Sequence, residues 1–312
     1  MRALRVVTED GPDAVVVEEL AEPEGELVVA VRAAGVSFPD LLMTRGEYQV
    51  RQPLPFTLGW EAAGDVLRAP EGSGFSAGDR VTTLMFGAHA EQVAALPETT
   101  FALPEALSYE EGAALPLNYL TAIAALERRG RLVSGETVLV HGAAGGVGTA
   151  TIQVAKALGA QVIGSVSTDA KAAIAREAGA DEVVVAEDFR SQLAEPVELI
   201  IDPVGGTERF KESLRALKAE GRLVVVGFTS GEIPEIRVNR LLLRNVDVCG
   251  CSFNVLAADG AGFGEPMARL AKLVESGALK PLVGSTHPLT EGPAALREID
   301  ERRATGKVVL TV

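Results

Sequence analysis

Short runs of Val, Leu and Ala, some alternating with polar residues and some continuous, recur through residues 1–107 and are cut at close intervals by Gly and Pro. The segments 1–7 (MRALRVV), 14–20 (AVVVEEL), 26–36 (ELVVAVRAAGV), 62–69 (AAGDVLRA) and 79–85 (DRVTTLM) each fit a strand. Together they predict a compact, mostly antiparallel β-domain. From Ser108 the period changes. Residues 108–130 place apolar side chains at helical spacing, and Ser108 with Glu111 fits a capping box at the start.

Strand-like and helix-like segments then alternate. Residues 137–142, 161–166, 182–185, 198–204, 222–228 and 246–253 read as strands, with helices expected over Val147 to Leu158, Asp169 to Ala178 and residues 207–218. Near-continuous Val/Ile/Leu strands separated by helices are what a parallel sheet covered on both faces requires. One further helix is expected around 265–276, and strand-rich sequence returns from 285–290 (STHPLT) to 306–312 (GKVVLTV). The chain is therefore expected to close on its first domain. The fold class is α/β, a doubly wound parallel sheet plus a β-barrel-like domain, divided as 1–118 with 263–312 and 119–262.

Composition narrows the function. A chain of 312 residues with 47% hydrophobic and 23% charged residues can bury a large core, and at 4% aromatics that core must rely on Ala, Val and Leu. The net charge of −14, from 43 acids against 29 bases, opposes nucleic acid and anionic bilayers as partners. Neither a signal-like start nor a long apolar run is readable, so the expected address is cytoplasmic. Cys249 and Cys251 are the only cysteines. On one strand such a pair cannot bridge without strain, so both are expected to be buried apolar residues.

The most specific motif follows the strand at 137–142. Residues Ala143-Ala144-Gly145-Gly146-Val147-Gly148 occupy a strand-to-helix turn, with Ala143 where the first glycine of a dinucleotide fingerprint is usual. Gly145 lets the backbone approach a pyrophosphate, Gly148 lets the helix pack closely, and the helix N-terminus offers free N–H groups to phosphate. About 20 residues further on, an NAD site would carry a ribose-binding carboxylate. Here the strand ends in Gly164-Ser165-Val166-Ser167-Thr168. A 2′-phosphate meets no repulsion there and Lys171 can pair with it, so NADPH is expected over NADH, although Asp169 lies close by. Lys171 also fits a solvated position on a helical first turn.

The segments 35–48, which resembles the family's loop after its early β-strands, 54–66, with its Gly59-x-Glu61-x-x-Gly64-x-Val66 pattern, 75–81, 110–126, 138–160, 202–206, 287–289 and 304–310 together resemble the quinone oxidoreductase branch of the medium-chain dehydrogenase/reductase superfamily, the group that includes zeta-crystallin. The resemblance implies a GroES-like β-domain joined to a Rossmann domain, with NADPH and a quinone or other conjugated carbonyl substrate in the cleft between them, and a homodimer formed through the edges of the Rossmann sheets. It places Ser167, Lys171 and Arg303, beside Arg302, around the adenosine 2′-phosphate, and Tyr48, Asn118 and Thr121 near the nicotinamide. It departs from the family where Ser37 replaces the usual Asn of Gly35-x-x-x-x-Asp40. Serine is shorter and has fewer donors, so the acceptor pocket is expected to differ there.

Zinc enzymes of the superfamily carry a thiolate near residue 37, a His-Glu pair where Trp60-Glu61 stands here, and a four-cysteine lobe; His89, His141 and His287 are scattered in sequence. No metal is expected. Without a Lewis acid, an acceptor whose product anion is already delocalised, a quinone or an enone, is the easiest to reduce. Tyr48 is the candidate for a hydrogen bond or proton to that acceptor, or else an aromatic lining residue. Asp40 is read as stabilising its turn. Two other readings stay open: an enoyl-thioester reductase, for which Arg45 and Arg51 would form a basic entrance, and a non-catalytic NADPH-binding or RNA-binding protein of the crystallin type, whose RNA-binding form the acidic balance opposes.

Overall fold

The structure, a computed structural model, describes residues 1–258 and 262–312. It divides into two compact units, Met1–Leu117 with Gly262–Val312, and Asn118–Ala261. The first unit opens with strands β1 (Arg2–Val6), β2 (Val15–Glu19) and β3 (Leu27–Val36), then helix α1 (Phe38–Thr44). Strands β4 (Phe56–Thr57), β5 (Glu61–Arg68), β6 (Arg80–Leu84), β7 (Gln92–Ala95) and β8 (Thr100–Ala102) follow, with helix α2 (Tyr109–Ala113) after them.

Helix α3 (Pro116–Ile123) leads into the second unit. There strands β9 (Thr137–His141), β10 (Gln161–Val166), β11 (Glu182–Val185), β12 (Val197–Asp202), β13 (Leu217–Val225) and β14 (Asp247–Gly250) alternate with helices α4 (Gly146–Ala157), α5 (Asp169–Glu177), α6 (Phe189–Gln192) and α7 (Thr207–Ala216). Two short helices, α8 (Asn239–Leu242) and α9 (Phe253–Ala258), flank β14. The chain ends in α10 (Gly264–Glu275), β15 (Val283–Pro288), α11 (Gly292–Asp300) and β16 (Lys307–Thr311).

The ten-residue strand β3 organises the first unit. One edge of it pairs with β5, and the other with β7 along its first half and β16 along its second, all antiparallel. The C-terminal segment is thus stitched into the sheet begun by the N-terminal one. Its core is aliphatic: Leu4, Leu27, Val29, Val31, Leu41, Leu58, Val81, Leu296 and Leu310 are all buried.

In the second unit all pairings are parallel, in the order β11-β10-β9-β12-β13-β14. The sense of winding reverses between β9 and β12. Because parallel crossovers are right-handed, that reversal sends the helices before and after it to opposite faces and opens a crevice at the carboxyl ends of the strands.

Two local expectations change. The helical run from Ser108 does not form one helix: Ser108 and Glu111 exchange the capping-box bonds expected of them, at 3.2 and 2.9 Å, but α2 ends before Pro116. Proline lacks the N–H that a continuing helix needs, so it starts α3 instead. After α3 the chain passes into a π-helical turn over Ala124–Arg129. Within residues 35–48, read from the resemblance as a loop, residues Phe38–Thr44 are helical.

Candidate active site

At the end of β9, Gly142 turns the chain with φ +59°, so the left-handed position falls one residue before Ala143 and the alanine is accommodated, fully buried. A Cβ on Gly148 would stand 2.2 Å from the Gly142 carbonyl oxygen and 2.8 Å from Cα of Ala143. Only glycine lets α4 sit this close to the loop. At Gly145 a Cβ would meet nothing nearer than the Gly142 oxygen at 3.5 Å. The protein's own packing does not require glycine there, and the space is what an approaching phosphate needs. The first bond of α4 runs from the Thr149 N–H to the Gly145 carbonyl at 2.8 Å. The amides of Gly146, Val147 and Gly148 lie ahead of it and point out of the helix start, where anions bind.

Strand β10 lies beside β9 and delivers the next residues to the same edge. Its Ser165 carbonyl accepts the Ala143 N–H at 3.1 Å, which ties the glycine loop to it. Ser167 follows in an exposed position, Thr168 caps α5 by accepting the Lys171 N–H at 3.3 Å, and Lys171 stands half-buried on the first turn. Asp169 is exposed at the first position of α5, one residue beyond the cap. The second unit therefore gathers Ala143, Gly145, Gly146, Val147, Gly148, Ser167 and Lys171 at adjacent strand ends.

The loop has buried support that the sequence did not announce. His141 is fully buried, with Nε2 2.8 Å from Ser213 Oγ. The Ser213 hydroxyl itself donates to the Arg209 carbonyl at 2.8 Å, so the proton between the two belongs to His141 Nε2. The imidazole also meets the Phe189 ring edge-on at 4.8 Å. Burial pushes its pKa down to about 4. On β12, Oδ1 of buried Asp202 accepts the N–H groups of Val204 at 2.8 Å and Gly205 at 3.0 Å, which fixes the neighbouring loop. An Asp followed by Pro-Val-Gly-Gly after an apolar strand is the sequence signal for such an Asx turn.

On α3, Asn118 and Thr121 are three residues apart and so share a helical face; both are buried. Tyr119 between them points elsewhere, its hydroxyl donating to Gln153 Oε1 at 3.0 Å.

In the first unit, Ser37 and Asp40 form a buried cluster at the start of α1. The Ser37 hydroxyl and N–H donate to Asp40 Oδ2 at 2.5 and 2.8 Å, and the Gly59 N–H donates to Oδ1 at 3.0 Å. Tyr48 is half-buried and meets Trp60 edge-to-face at 6.0 Å. Trp60 packs on Phe86 at 5.1 Å, and Phe86 on Phe56 at 6.0 Å. Trp60 is thus a member of an aromatic row.

The arginines expected near the site are spent locally. Arg45 pairs with Asp300 at 2.6 Å and Arg51 with Glu9 at 3.5 Å. Arg303, in the first unit, pairs with Glu301 at 2.6 Å on the exposed turn after α11. His89 Nε2 lies 3.0 Å from the Gly35 carbonyl, and His287 Nε2 2.8 Å from Glu298. Cys249 and Cys251 are free and buried.

Family models match both parts of the chain: an alcohol dehydrogenase GroES-like domain over residues 23–113 and a zinc-binding dehydrogenase domain over 146–265. Quinone oxidoreductase-like protein 2 of Mus musculus is 38% identical over 298 residues, covering 92% of this chain and 85% of that protein. The chain belongs to the quinone oxidoreductase branch of the medium-chain dehydrogenase/reductase superfamily. It is an oxidoreductase by that membership. Among solved structures, a probable oxidoreductase from Mycobacterium abscessus superposes with a TM-score of 0.90 at 40% identity, over 100% of this chain and 99% of that one. The quinone oxidoreductase of Thermus thermophilus, solved also in complex with NADPH, gives 0.87 at 36% identity over the full length of both.

Proposed function

We propose that this oxidoreductase uses NADPH to reduce a quinone or another small conjugated carbonyl compound. The observation that carries the reading is the open space at Gly145 beside the outward amides of α4, next to a β10 end that lacks a carboxylate. Gly145, Gly146, Val147 and Gly148 would hold the pyrophosphate, and Ser167 and Lys171 the 2′-phosphate. Asn118 and Thr121 would line the nicotinamide end. When bound, the reduced nicotinamide supplies a hydride. The protein's own part is to exclude water, to orient the acceptor and to hold a hydroxyl near its oxygen.

For that last task Tyr48 is the candidate, since its ring is fixed against Trp60. Ser37, its hydroxyl committed to Asp40, acts by holding the start of α1. The aromatic row suits a flat, conjugated acceptor. The enoyl-thioester reading would need a basic entrance, and Arg45 and Arg51 each already pair with a carboxylate, Asp300 and Glu9.

We further propose a homodimer. Strand β14 is the edge of its sheet, and Ile233, Val238, Leu242, Leu243 and Val255 around it expose apolar side chains. Among the described residues no helix is long and apolar enough to cross a membrane, and a cytoplasmic location is proposed with it.

The deciding experiment is NADPH consumption over a panel of quinones, enones, enoyl thioesters and aldehydes. Turnover of quinones or enones is expected. Turnover of thioesters alone, or of none, would overturn the reading.

A further inference from the structure

One buried ion pair of the first unit lies outside every role assigned so far. Lys307 Nζ stands 2.5 Å from Glu61 Oε1, with the two side chains 3% and 0% exposed. The other oxygen of Glu61 accepts the backbone N–H of Leu117 at 2.8 Å. Glu61 opens β5, Lys307 opens β16, and Leu117 is the second residue of α3. Three chain segments remote in sequence therefore meet at one carboxylate.

Burying two charges is costly, and a well-packed apolar pair of the same volume is often as stable, so stability alone is a poor account of this pair. A single carboxylate oxygen on a first-turn N–H does what apolar packing cannot. It fixes both the position and the direction of a helix start, and its negative charge suits the positive end of the helix dipole. The next residue is Asn118, and Thr121 follows one turn on.

We infer that Glu61, held by Lys307, is a positioning residue that sets the start of α3 and with it the placement of Asn118 and Thr121. This rests on the reading of Asn118 as a residue of the nicotinamide end. Lys307 holds Glu61 in place, Glu61 anchors Leu117, and Asn118 is the next residue of the same helix.

The test uses the full-length protein and compares Glu61→Leu/Lys307→Met, which removes both charges and the oxygen, with Glu61→Gln/Lys307→Met, which removes both charges but keeps an oxygen for the Leu117 N–H. Amide hydrogen exchange over a peptide spanning 114–124 is measured alongside NADPH-dependent reduction of 1,4-benzoquinone. Glu61→Leu/Lys307→Met is expected to melt near the wild type, to exchange faster in that peptide but not over β9 and α4, and to lose about tenfold in kcat, as small misplacements at reacting groups do, with KM for NADPH little changed. Glu61→Gln/Lys307→Met is expected to restore most of both readouts. Should the variant without the oxygen not fold, Glu61→Met/Lys307→Leu, which also removes both charges and the oxygen, takes its place with the same expected readouts. Wild-type exchange at 114–124, or wild-type kcat, in a folded variant without the pair and the oxygen overturns the inference. Asn118→Ala in the same assay judges the underlying reading separately: if it leaves kcat unchanged, Asn118 has no part at the nicotinamide end, whatever the exchange data say about α3.

Discussion

The hydroxyl of Ser37 donates to Oδ2 of Asp40 at 2.5 Å, and both residues are buried. Asp40 is thereby a structural acceptor for three donors, the third being the Gly59 N–H. Ser37→Ala removes one of these bonds and should cost about 1 kcal/mol, as for other helix-start polar residues. A melting point lowered by a few degrees with kcat little changed is expected. A large drop in kcat at unchanged stability would give the hydroxyl a direct part in the reaction. Asp40→Ala should be far worse, since it strands buried N–H groups.

Lys171→Ala is expected to weaken NADPH binding by roughly 1 to 3 kcal/mol, the range of a charge-assisted hydrogen bond, and to leave NADH binding little changed. Titration of both cofactors checks it. Equal losses for the two cofactors would show that Lys171 does not read the 2′-phosphate, and no loss for either would leave it a solvated residue of α5.

No stoichiometric zinc is expected in the purified protein, and activity should survive a chelator. Ser37 and Trp60 stand where the zinc enzymes have ligands, and among the described residues no three His, Cys, Asp or Glu side chains gather as a metal site. Elemental analysis finding one tightly held zinc per chain would refute this.

For Tyr48→Phe the outcome should depend on the acceptor. An enolate is a basic product and benefits from a proton donor, so enone reduction is expected to fall by about 10²-fold. Quinone reduction gives a delocalised product and should change only a few-fold. Steady-state rates with both acceptors decide, and wild-type rates for both would leave the hydroxyl no catalytic role.

His141 should make the protein acid-sensitive. Its pKa is about 4 in the fold, through burial and, less, the nearby charge of Arg209, partly opposed by Asp202. In the unfolded chain it returns to about 6.5. Below that value the unfolded state binds a proton that the folded state refuses, so stability is full above about pH 6.5 and is lost progressively as pH falls toward 4. His141→Gln, whose amide can still donate to Ser213, should flatten the fall in melting temperature between pH 7 and 4.5. An unchanged slope would show that His141 does not carry it.

The sequence by itself determined what local chemistry dictates. Continuous apolar strands with intervening helices specified the parallel sheet, and the Gly-rich turn from 143 to 148 sat where a dinucleotide loop must sit. The Ser108–Glu111 cap was legible because its two partners are three residues apart. Gly142 as the left-handed residue, and Pro116 as a helix start, were visible in the string but read only once the backbone path was known.

What the tertiary structure alone decided are the partnerships between residues distant along the chain. Glu61 and Lys307 each lay in a quoted motif, yet nothing local pairs them; β16 returning against β3 does. His141 finds Ser213, and Trp60 joins a row with Tyr48, Phe86 and Phe56, because sheets and helices bring those side chains together. Arg303 pairs with Glu301, a choice between near neighbours that depends on the turn after α11. Periodicity and turn chemistry act over a few residues and can be read from order alone, whereas a buried charge or an unoccupied donor is satisfied by whatever the packed fold places within about 3 Å.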